Sequence, residues 1–174
     1  MTLTRELIFS RVRFLSGVLV SDQSCPCGSK SYSNCCEPLH LGQIKAQTAE
    51  QLMRSRYSAF AKHVIDYIIE TTASGQQQFL DRQAITDWSK ANQWLKLEVV
   101  HSNEKLDKHH ALVEFKAHYH DGKQTHIHHE LSHFVKNQAI WYFLDPTVEM
   151  QITMKQACIC GSGKKFKQCC AQFM

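Results

Sequence analysis

Eight cysteines occur in two short clusters close to the two ends of the 174-residue chain, and the long stretch between the clusters contains none. A disulfide framework would spread its cysteines through the fold, where they could join distant loops. The first cluster has the spacing Cys-x-Cys-x7-Cys-Cys and the second Cys-x-Cys-x8-Cys-Cys, which indicates two copies of one local module. The first set is Cys25, Cys27, Cys35 and Cys36, and the second is Cys158, Cys160, Cys169 and Cys170.

Each cluster supplies the ligands that a structural zinc ion prefers. Zn²⁺ takes four sulfur or nitrogen ligands in a tetrahedron, and four thiolates close the site to water. A segment this short cannot bury a core of its own, so the metal must supply its folding free energy. Gly28 and Gly161 suit sharp turns, and nearby lysines could offset the negative charge of the thiolates. These lysines are Lys30, Lys164, Lys165 and Lys167. We predict two structural Zn²⁺ ions; free reduced thiols, or redox pairs formed by the adjacent cysteines of each set, are the alternatives.

Composition places the chain among ordinary globular proteins, because 43% of its residues are hydrophobic and 21% are charged. Its net charge of +4 permits contact with nucleic acid but does not favour it. No segment approaches the ~18–20 consecutive apolar residues of a membrane span. The apolar stretch at 14–20 imitates a signal peptide, but it is short and a poor cleavage site follows it. We therefore interpret residues 1–22 as an N-terminal extension and expect a cytoplasmic protein.

Between the clusters, the hydrophobic pattern changes from a helical period to a strand period. Thr48, with Gln51 three residues later, resembles a capping box, and apolar residues at helical spacing predict one long helix over 48–71. A shorter helix is predicted over 79–91. The predicted strands are 94–101, 110–120, 123–136 and 139–144, with Asp121-Gly122 as a two-residue turn that pairs His120 with Lys123. Helices followed by four antiparallel strands indicate an α+β domain with the helices on one face of the sheet.

The second cluster closely resembles the SEC-C motif in its order Cys-Ile-Cys-Gly-Ser-Gly-Lys-Lys-Phe-Lys-Gln-Cys-Cys. That motif is named after the C-terminal tail of the SecA translocation ATPase, whose Cys-x-Cys-x8-Cys-His zinc site docks a chaperone. This chain has Cys170 where SecA has histidine. The first cluster is one residue shorter and lacks the second glycine, so it resembles the motif less closely. The resemblance implies zinc at both sites and a protein partner.

Two such motifs flanking a domain of this length resemble the YchJ family of bacterial proteins. Segments 52–60, 130–134 and 141–145 support this resemblance, which covers about residues 23–174. It implies a middle domain similar to nuclear transport factor 2, a cystatin-like cone of helices on a curved four-stranded antiparallel sheet. The implied organisation is an SEC-C module at 23–40, the middle domain at 46–148 and an SEC-C module at 155–174. The resemblance implies no established activity.

A cone of this kind can hold a pocket, and strand alternation identifies the residues that would face it. The predicted register places Val113 opposite Glu130, and Phe115 opposite His128. A carboxylate and an imidazole among apolar side chains could act as a general acid–base pair. The possible pocket residues are His128, Glu130, Ser132, Trp141 and Asp145, with Asp145 as an acid at the rim. The structural alternative is that Glu130 forms an ion pair with Arg54 or Arg56 of the first helix.

The same hairpin is rich in histidine, and imidazoles on adjacent strands could bind a transition metal. These histidines are His118, His120, His126, His128 and His129. A solvated edge of the sheet is the simpler interpretation of this pattern.

These observations support a protein-docking or adaptor function through the zinc modules more than they support an enzyme. The alternative is small-molecule binding, or acid–base catalysis, in a pocket of the middle domain. Nucleic-acid binding through the zinc modules is disfavoured by the small net charge of +4.

Overall fold

The computed structural model describes residues 23–174, and the predicted N-terminal extension at 1–22 lies outside this range. Within the range, the predicted α+β architecture is confirmed: helices precede a four-stranded antiparallel sheet, and a cluster of four cysteines lies towards each end. The helices are α1 (Glu37–His40), α2 (Ala49–Lys62), α3 (Ile65–Glu70) and α4 (Arg82–Ala91). The strands are β1 (Gln93–Asn103), β2 (His110–His120), β3 (Thr125–Asn137) and β4 (Ile140–Leu144). None of the helices described is long and apolar enough to cross a membrane.

The core lies between α2 and the inner face of the sheet. The strands follow one another in the order β1-β2-β3-β4, and α2 contacts β1, β2 and β4. Thr48 caps α2, because its side chain accepts a hydrogen bond from Gln51 N at 3.0 Å. Leu52 on the apolar side of α2 then packs in one cluster with Val113 and Phe134 of the sheet. Alternation in the strands and helical spacing in α2 therefore supply the two faces of a single core.

The single helix predicted over 48–71 is wrong, because the chain forms α2 and α3 with a break between them. His63 adopts the left-handed conformation, with φ of 59°, and ends α2. No glycine or proline marks this position, so the sequence carries no signal for the break. The start of the break is tied to α4: His63 Nδ1 lies 2.8 Å from Ser89 Oγ, and that hydroxyl donates to Phe60 O at 2.7 Å.

The β2–β3 hairpin has a longer loop than predicted. His120 pairs with Thr125 rather than with Lys123, so four residues, 121–124, form the loop. The Asp121 carboxylate closes this loop by accepting hydrogen bonds from the backbone N–H groups of Lys123 and Gln124, each at 2.8 Å. The predicted two-residue turn is therefore wrong, because a side chain of the loop offers the backbone better partners than a tight turn would.

The change in register leaves the predicted faces of the hairpin intact. Side chains alternate with a period of two, so a slip of two residues changes partners without turning any side chain over. Phe115 now opposes Glu130 instead of His128, yet all three face the helices as predicted. The predicted alternation is thus correct, and only the cross-strand pairs were wrong.

Candidate metal centres and the middle-domain cavity

The first centre is built by a tight turn followed by a short 3₁₀ segment. Cys25 N donates to Lys30 O at 2.7 Å across the turn. Gly28 lies inside the turn with φ of 79°, where a residue with a side chain would be strained. The 3₁₀ segment Tyr32–Asn34 then brings the last two cysteines back to the first two. As a result the four sulfur atoms lie within 4.8 Å of one another.

The second centre repeats this construction with one more residue in the turn. Cys158 N donates to Lys164 O at 2.8 Å, and the 3₁₀ segment Phe166–Gln168 precedes the last two cysteines. Gly161 and Gly163 both have φ of 74° in this turn. The additional residue of the x8 spacing is therefore absorbed by the turn, and the four sulfurs again lie within 4.8 Å of one another. All four cysteines of this set are buried.

The sulfur separations fit a four-thiolate metal site. A Zn–S bond of about 2.3 Å would place the ligands of a tetrahedron about 3.8 Å apart. Two of the separations in the first centre are 3.5 and 3.8 Å. The corresponding separations in the second centre are 3.6 and 3.9 Å. Both predicted ligand sets are thus brought together, and each group of four cysteines can hold a metal ion.

Crowding makes the thiols of each centre ionise unequally. In the first centre, hydrogen bonds from Cys27 and Cys36 hold the pKa of Cys25 well below that of an ordinary thiol. The hydrogen bond with Cys25 raises the pKa of Cys36 instead, because a second thiolate would lie beside the first. Burial raises the pKa of Cys35 to about 11. Four thiolates together therefore require a cation among them, which is the charge that a bound metal ion supplies.

A side chain of the middle domain contacts one sulfur of each centre. Ser58 of α2 places Oγ 3.4 Å from Cys25 Sγ. His110 at the start of β2 places Nε2 3.5 Å from Cys170 Sγ, and its Nδ1 lies 2.9 Å from Asp107 Oδ2. Such contacts orient metal ligands. Sequence reasoning missed these residues, because each is distant along the chain from its cysteine and has no spacing that points to it.

The second module packs directly on the loop that follows α3. Gly75 N donates to Ile159 O at 2.8 Å, and Asn137 Nδ2 donates to Cys160 O at 2.9 Å. A Cβ atom on Gly75 would lie 2.9 Å from the Cα atom of Ile159 and 3.0 Å from its carbonyl oxygen. Glycine is needed here for space, since any side chain would clash with backbone atoms, which cannot move aside by changing a rotamer.

We expect Gly75→Ala to separate this loop from the second module. The free energy of unfolding should fall by roughly 1–3 kcal/mol, as for other substitutions that overpack a closely packed contact. Urea unfolding measures this loss, and the rate of metal transfer from the second centre to a chelator should rise at the same time. Ser74→Ala is the matched control, because it removes only a 3.3 Å hydrogen bond to Ile159 O. An alanine variant at Gly75 as stable as the parent chain would contradict the packing described here.

The middle domain contains a cavity of about 210 Å³ between the helices and the sheet. Trp141 lies outside its lining, and its indole Nε1 donates to Gln47 O at 3.1 Å. The other possible pocket residues line the cavity, namely His128, Glu130, Ser132 and Asp145. Aromatic residues of the helices, namely Tyr57, Phe60 and Trp88, also line this cavity, and the sequence analysis did not identify them.

Glu130 is held by its own strand rather than by an arginine. His128 Nε2 lies 2.7 Å from Glu130 Oε2, and the Ser132 hydroxyl donates to Glu130 Oε1. Within the described range, Arg54 instead pairs with Glu50 at 2.8 Å, and Arg56 Nη1 donates to Ile68 O within α3 and to Thr71 Oγ1 directly after it. The ion pair expected as the structural alternative is therefore not formed.

The Glu130–His128 pair alters the pKa of both groups. Burial opposes ionisation of Glu130, but the hydrogen bonds from His128 and Ser132 outweigh it and hold its pKa below the ordinary value of 4.5. The hydrogen bond with Glu130 raises the pKa of His128 above 6.5. The Glu130 contribution to stability is present above pH 4.5 and is lost as the pH falls through its folded-state pKa. The His128 contribution is present below pH 6.5 and is lost as the pH rises through its folded-state pKa.

We expect Glu130→Gln to lower the pKa of His128, because the substitution removes the carboxylate that favours the imidazolium form. NMR titration of the His128 ring protons measures the change. Glu114→Gln is the control, since Glu114 pairs with the neighbouring His129 at 2.7 Å and should leave the His128 titration unchanged. An unaltered His128 titration in Glu130→Gln would show that the pair does not form in solution.

The remaining histidines of the hairpin do not assemble a metal site in the part of the chain that the structure describes. His126 lies 2.7 Å from Asp121, His129 lies 2.7 Å from Glu114, and His118 lies 3.2 Å from a carboxylate of β1. Groups of three or more metal-ligating side chains occur there only at the two cysteine centres. The solvated-edge interpretation of the hairpin agrees with these pairings.

Two known protein-family models match this chain, one over the middle domain and one over the second cysteine module. The family described as "YchJ, middle NTF2-like domain" matches residues 48–146, and the SEC-C motif matches residues 154–172. A protein of Actinobacillus succinogenes named "UPF0225 protein" is 48% identical over 153 residues, which cover 86% of this chain and 97% of that protein. A Haemophilus influenzae protein of the same name is 46% identical over 156 residues, covering 89% of this chain and 96% of the relative.

Solved structures agree with these sequence matches. The crystal structure of a SEC-C motif containing protein from Psychrobacter arcticus has a TM-score of 0.80 and 48% identity, and the match covers 87% of this chain and 97% of that one. The solution structure of a SEC-C motif containing protein from Rhodopseudomonas palustris has a TM-score of 0.66 and 38% identity, with 70% and 95% covered. The match extends along nearly the whole length of these relatives, and the chain therefore belongs to the YchJ family.

Proposed function

We propose that the chain is a protein-docking adaptor in which each cysteine centre holds one structural zinc ion. The observation that supports this proposal best is the placement of the second module. Its backbone is bonded to the middle domain through Gly75 and Asn137, while the lysines of its turn and 3₁₀ segment are exposed. These lysines are Lys164, Lys165 and Lys167. A rigid, positively charged module suits recognition of a protein surface, because it loses little conformational entropy on binding.

Zinc is the metal that fits both centres best. Four cysteine sulfurs at these separations match the soft donor set and the tetrahedral geometry of structural zinc. A closed centre of this type has no open position for water or substrate, so it supports a fold and a surface instead of catalysis. The SEC-C motif of SecA, which this module resembles, serves docking in the same way. Reduced thiols of this kind persist in the cytoplasm, where the proposal places the chain.

A capture experiment with two kinds of variant tests the docking function. Immobilised protein would be cross-linked to its partners in a lysate of the host cell. The surface variant carries Lys164→Glu, Lys165→Glu and Lys167→Glu and keeps all cysteines, while a second variant carries Cys158→Ser and Cys160→Ser. The matched control reverses the charge of three exposed lysines elsewhere, Lys90, Lys105 and Lys123. We expect a specific partner to be captured by the parent chain and the control and to be lost in both module variants. Retention of every captured protein by the module variants would defeat the proposal.

The alternative function is the binding of a small molecule. It would use the cavity of the middle domain, and the docking proposal does not require this cavity.

A further inference from the structure

Seven aromatic side chains line the cavity of the middle domain. Phe60 and Trp94 are stacked with their ring centroids 5.4 Å apart, and Trp88 meets both rings edge-on at 5.3 and 4.9 Å. Trp94 Nε1 donates to Ser89 O at 3.1 Å, which fixes the orientation of that indole. Further rings complete the wall, from Tyr57, Phe115, Phe134 and Phe143. Trp88 is 40% exposed, so the aromatic wall reaches the surface at this residue.

The size of the cavity limits the ligand to a small organic molecule. An apolar protein cavity of about 150 Å³ holds one benzene molecule. The cavity in this chain has a volume of about 210 Å³. It can therefore hold a single aromatic ring with a short substituent, roughly eight or nine non-hydrogen atoms.

Two carboxylates line the aromatic cavity, together with Arg56 and His128. Glu130 lines the wall and Asp145 lies beside Pro146 and Thr147 at its exposed end. Glu130 accepts one hydrogen bond at each oxygen, and an ionised carboxylate has about four acceptor sites, so it can accept a further donor from a ligand. Aromatic faces also attract cations through their quadrupoles.

The guanidinium of Arg56 is less accessible than the Glu130 carboxylate. Arg56 stacks on the ring of Phe143 at 4.4 Å, and its Nη1 donates to Ile68 O at 2.7 Å and to Thr71 Oγ1 at 2.8 Å. His128 uses Nε2 on Glu130. The side chain of Glu130 is 24% exposed whereas Arg56 is only 9% exposed, so a ligand reaches the carboxylate more readily than the guanidinium, and an ammonium group suits the cavity better than an anion.

We propose that this cavity binds a small aromatic or arylalkyl amine, with the ammonium group at Glu130 and the hydrocarbon part among the rings of Phe60, Trp88 and Trp94. This is a second binding function, on surfaces distinct from both cysteine centres. Each part of the ligand has a counterpart in the wall: the ring of the ligand replaces water against apolar carbon, and its N–H groups donate to the carboxylate.

Three ligands of similar shape and different charge test the proposal on the zinc-loaded parent chain. They are 2-phenylethylamine, 2-phenylethanol and phenylacetate. Because Trp88 and Trp94 line the cavity, binding can be followed by tryptophan fluorescence and checked by calorimetry. We expect the dissociation constant of the amine to be at least tenfold lower than that of the carboxylate, with the alcohol between them. Equal affinities, tighter binding of the carboxylate, or no binding of any of the three would overturn the proposal.

Two variants locate the binding site. Glu130→Gln should weaken amine binding roughly tenfold, as expected for the loss of one charge-assisted hydrogen bond, and should leave the alcohol nearly unaffected. Ala117→Leu fills the cavity from β2, where Ala117 is buried, and should abolish binding of the amine. The control is Ile127→Leu on the outer face of the sheet, where the side chain is 58% exposed. Zinc content and near-ultraviolet circular dichroism establish that each variant is folded, and unchanged amine affinity in a folded Glu130→Gln or Ala117→Leu variant would contradict the assignment.

Discussion

Replacing Cys158 and Cys160 together by serine should lower the zinc content from two ions per chain to one. Two of the four thiolate ligands are lost, and the remaining pair cannot close a tetrahedral site. Structural zinc contributes an apparent binding free energy of about 10–16 kcal/mol in zinc-finger peptides, so the second module should unfold with the loss of its metal. Native mass spectrometry and elemental analysis of protein prepared with reduced thiols and without chelator measure the metal directly.

Loss of this metal ion should unfold the second module and leave the main core folded. The second module forms a cluster of its own with Val135 and Leu144 of the sheet, separate from the main core around Phe134. The midpoint temperature of thermal unfolding should therefore fall and the transition should broaden, while the far-ultraviolet circular dichroism signal of the helices is largely kept. Cys25→Ser with Cys27→Ser is the matched variant, and it should remove the other ion alone. Far fewer than two zinc ions in the parent chain, or two ions retained in either variant, would refute the assignment of the centres.

The second largest effect is expected for Phe134→Ala in the centre of the sheet. Phe134 is 1% exposed, and its ring lies 5.7 Å from that of Phe143 on the neighbouring strand. Truncating a buried phenylalanine typically lowers the free energy of unfolding by about 3–5 kcal/mol, because it combines lost apolar burial with an unfilled void. Urea unfolding with the metal centres loaded measures this loss.

Phe79→Ala provides the comparison for this variant, since it deletes the same atoms from a side chain that is 51% exposed. Its effect should lie within about 0.5–1 kcal/mol of the parent chain. Similar losses at the two positions would show that Phe134 is not the packing centre described here. Phe134 also lines the cavity, so the substitution should enlarge the cavity and lower its affinity for the proposed amine ligand.

The elements of the middle domain were predictable because they follow from local patterns. Four strands, the capped start of α2 and the inward face of the hairpin all depend on residues close together in the chain. The register of the β2–β3 hairpin was not predictable in the same way, because the Asp121 carboxylate stabilises a loop that the Asp-Gly pair alone does not indicate. The break at His63 likewise depends on Ser89, a residue of another helix.

The cysteine centres show the same division. The grouping of their cysteines was predictable, since all four thiols of each set come from one short segment with a distinctive spacing. The groups that contact the sulfurs were not, since Ser58 and His110 reach them only after the middle domain has folded. Glu130 illustrates the same limit: its position on the inner face was predicted, but its partners are His128 and Ser132 instead of an arginine.

The sequence by itself determined the two groups of cysteines that can hold a metal ion, the α+β class and the residues that face the helices, because spacing and alternation are local properties of the chain. Only the tertiary structure decided how the second module is seated on Gly75, and that a cavity lined by aromatic rings remains beside Glu130. Both depend on where distant segments meet. Packing at those places is set by the shapes of the side chains and backbone in contact, and no periodic pattern in the sequence predicts it.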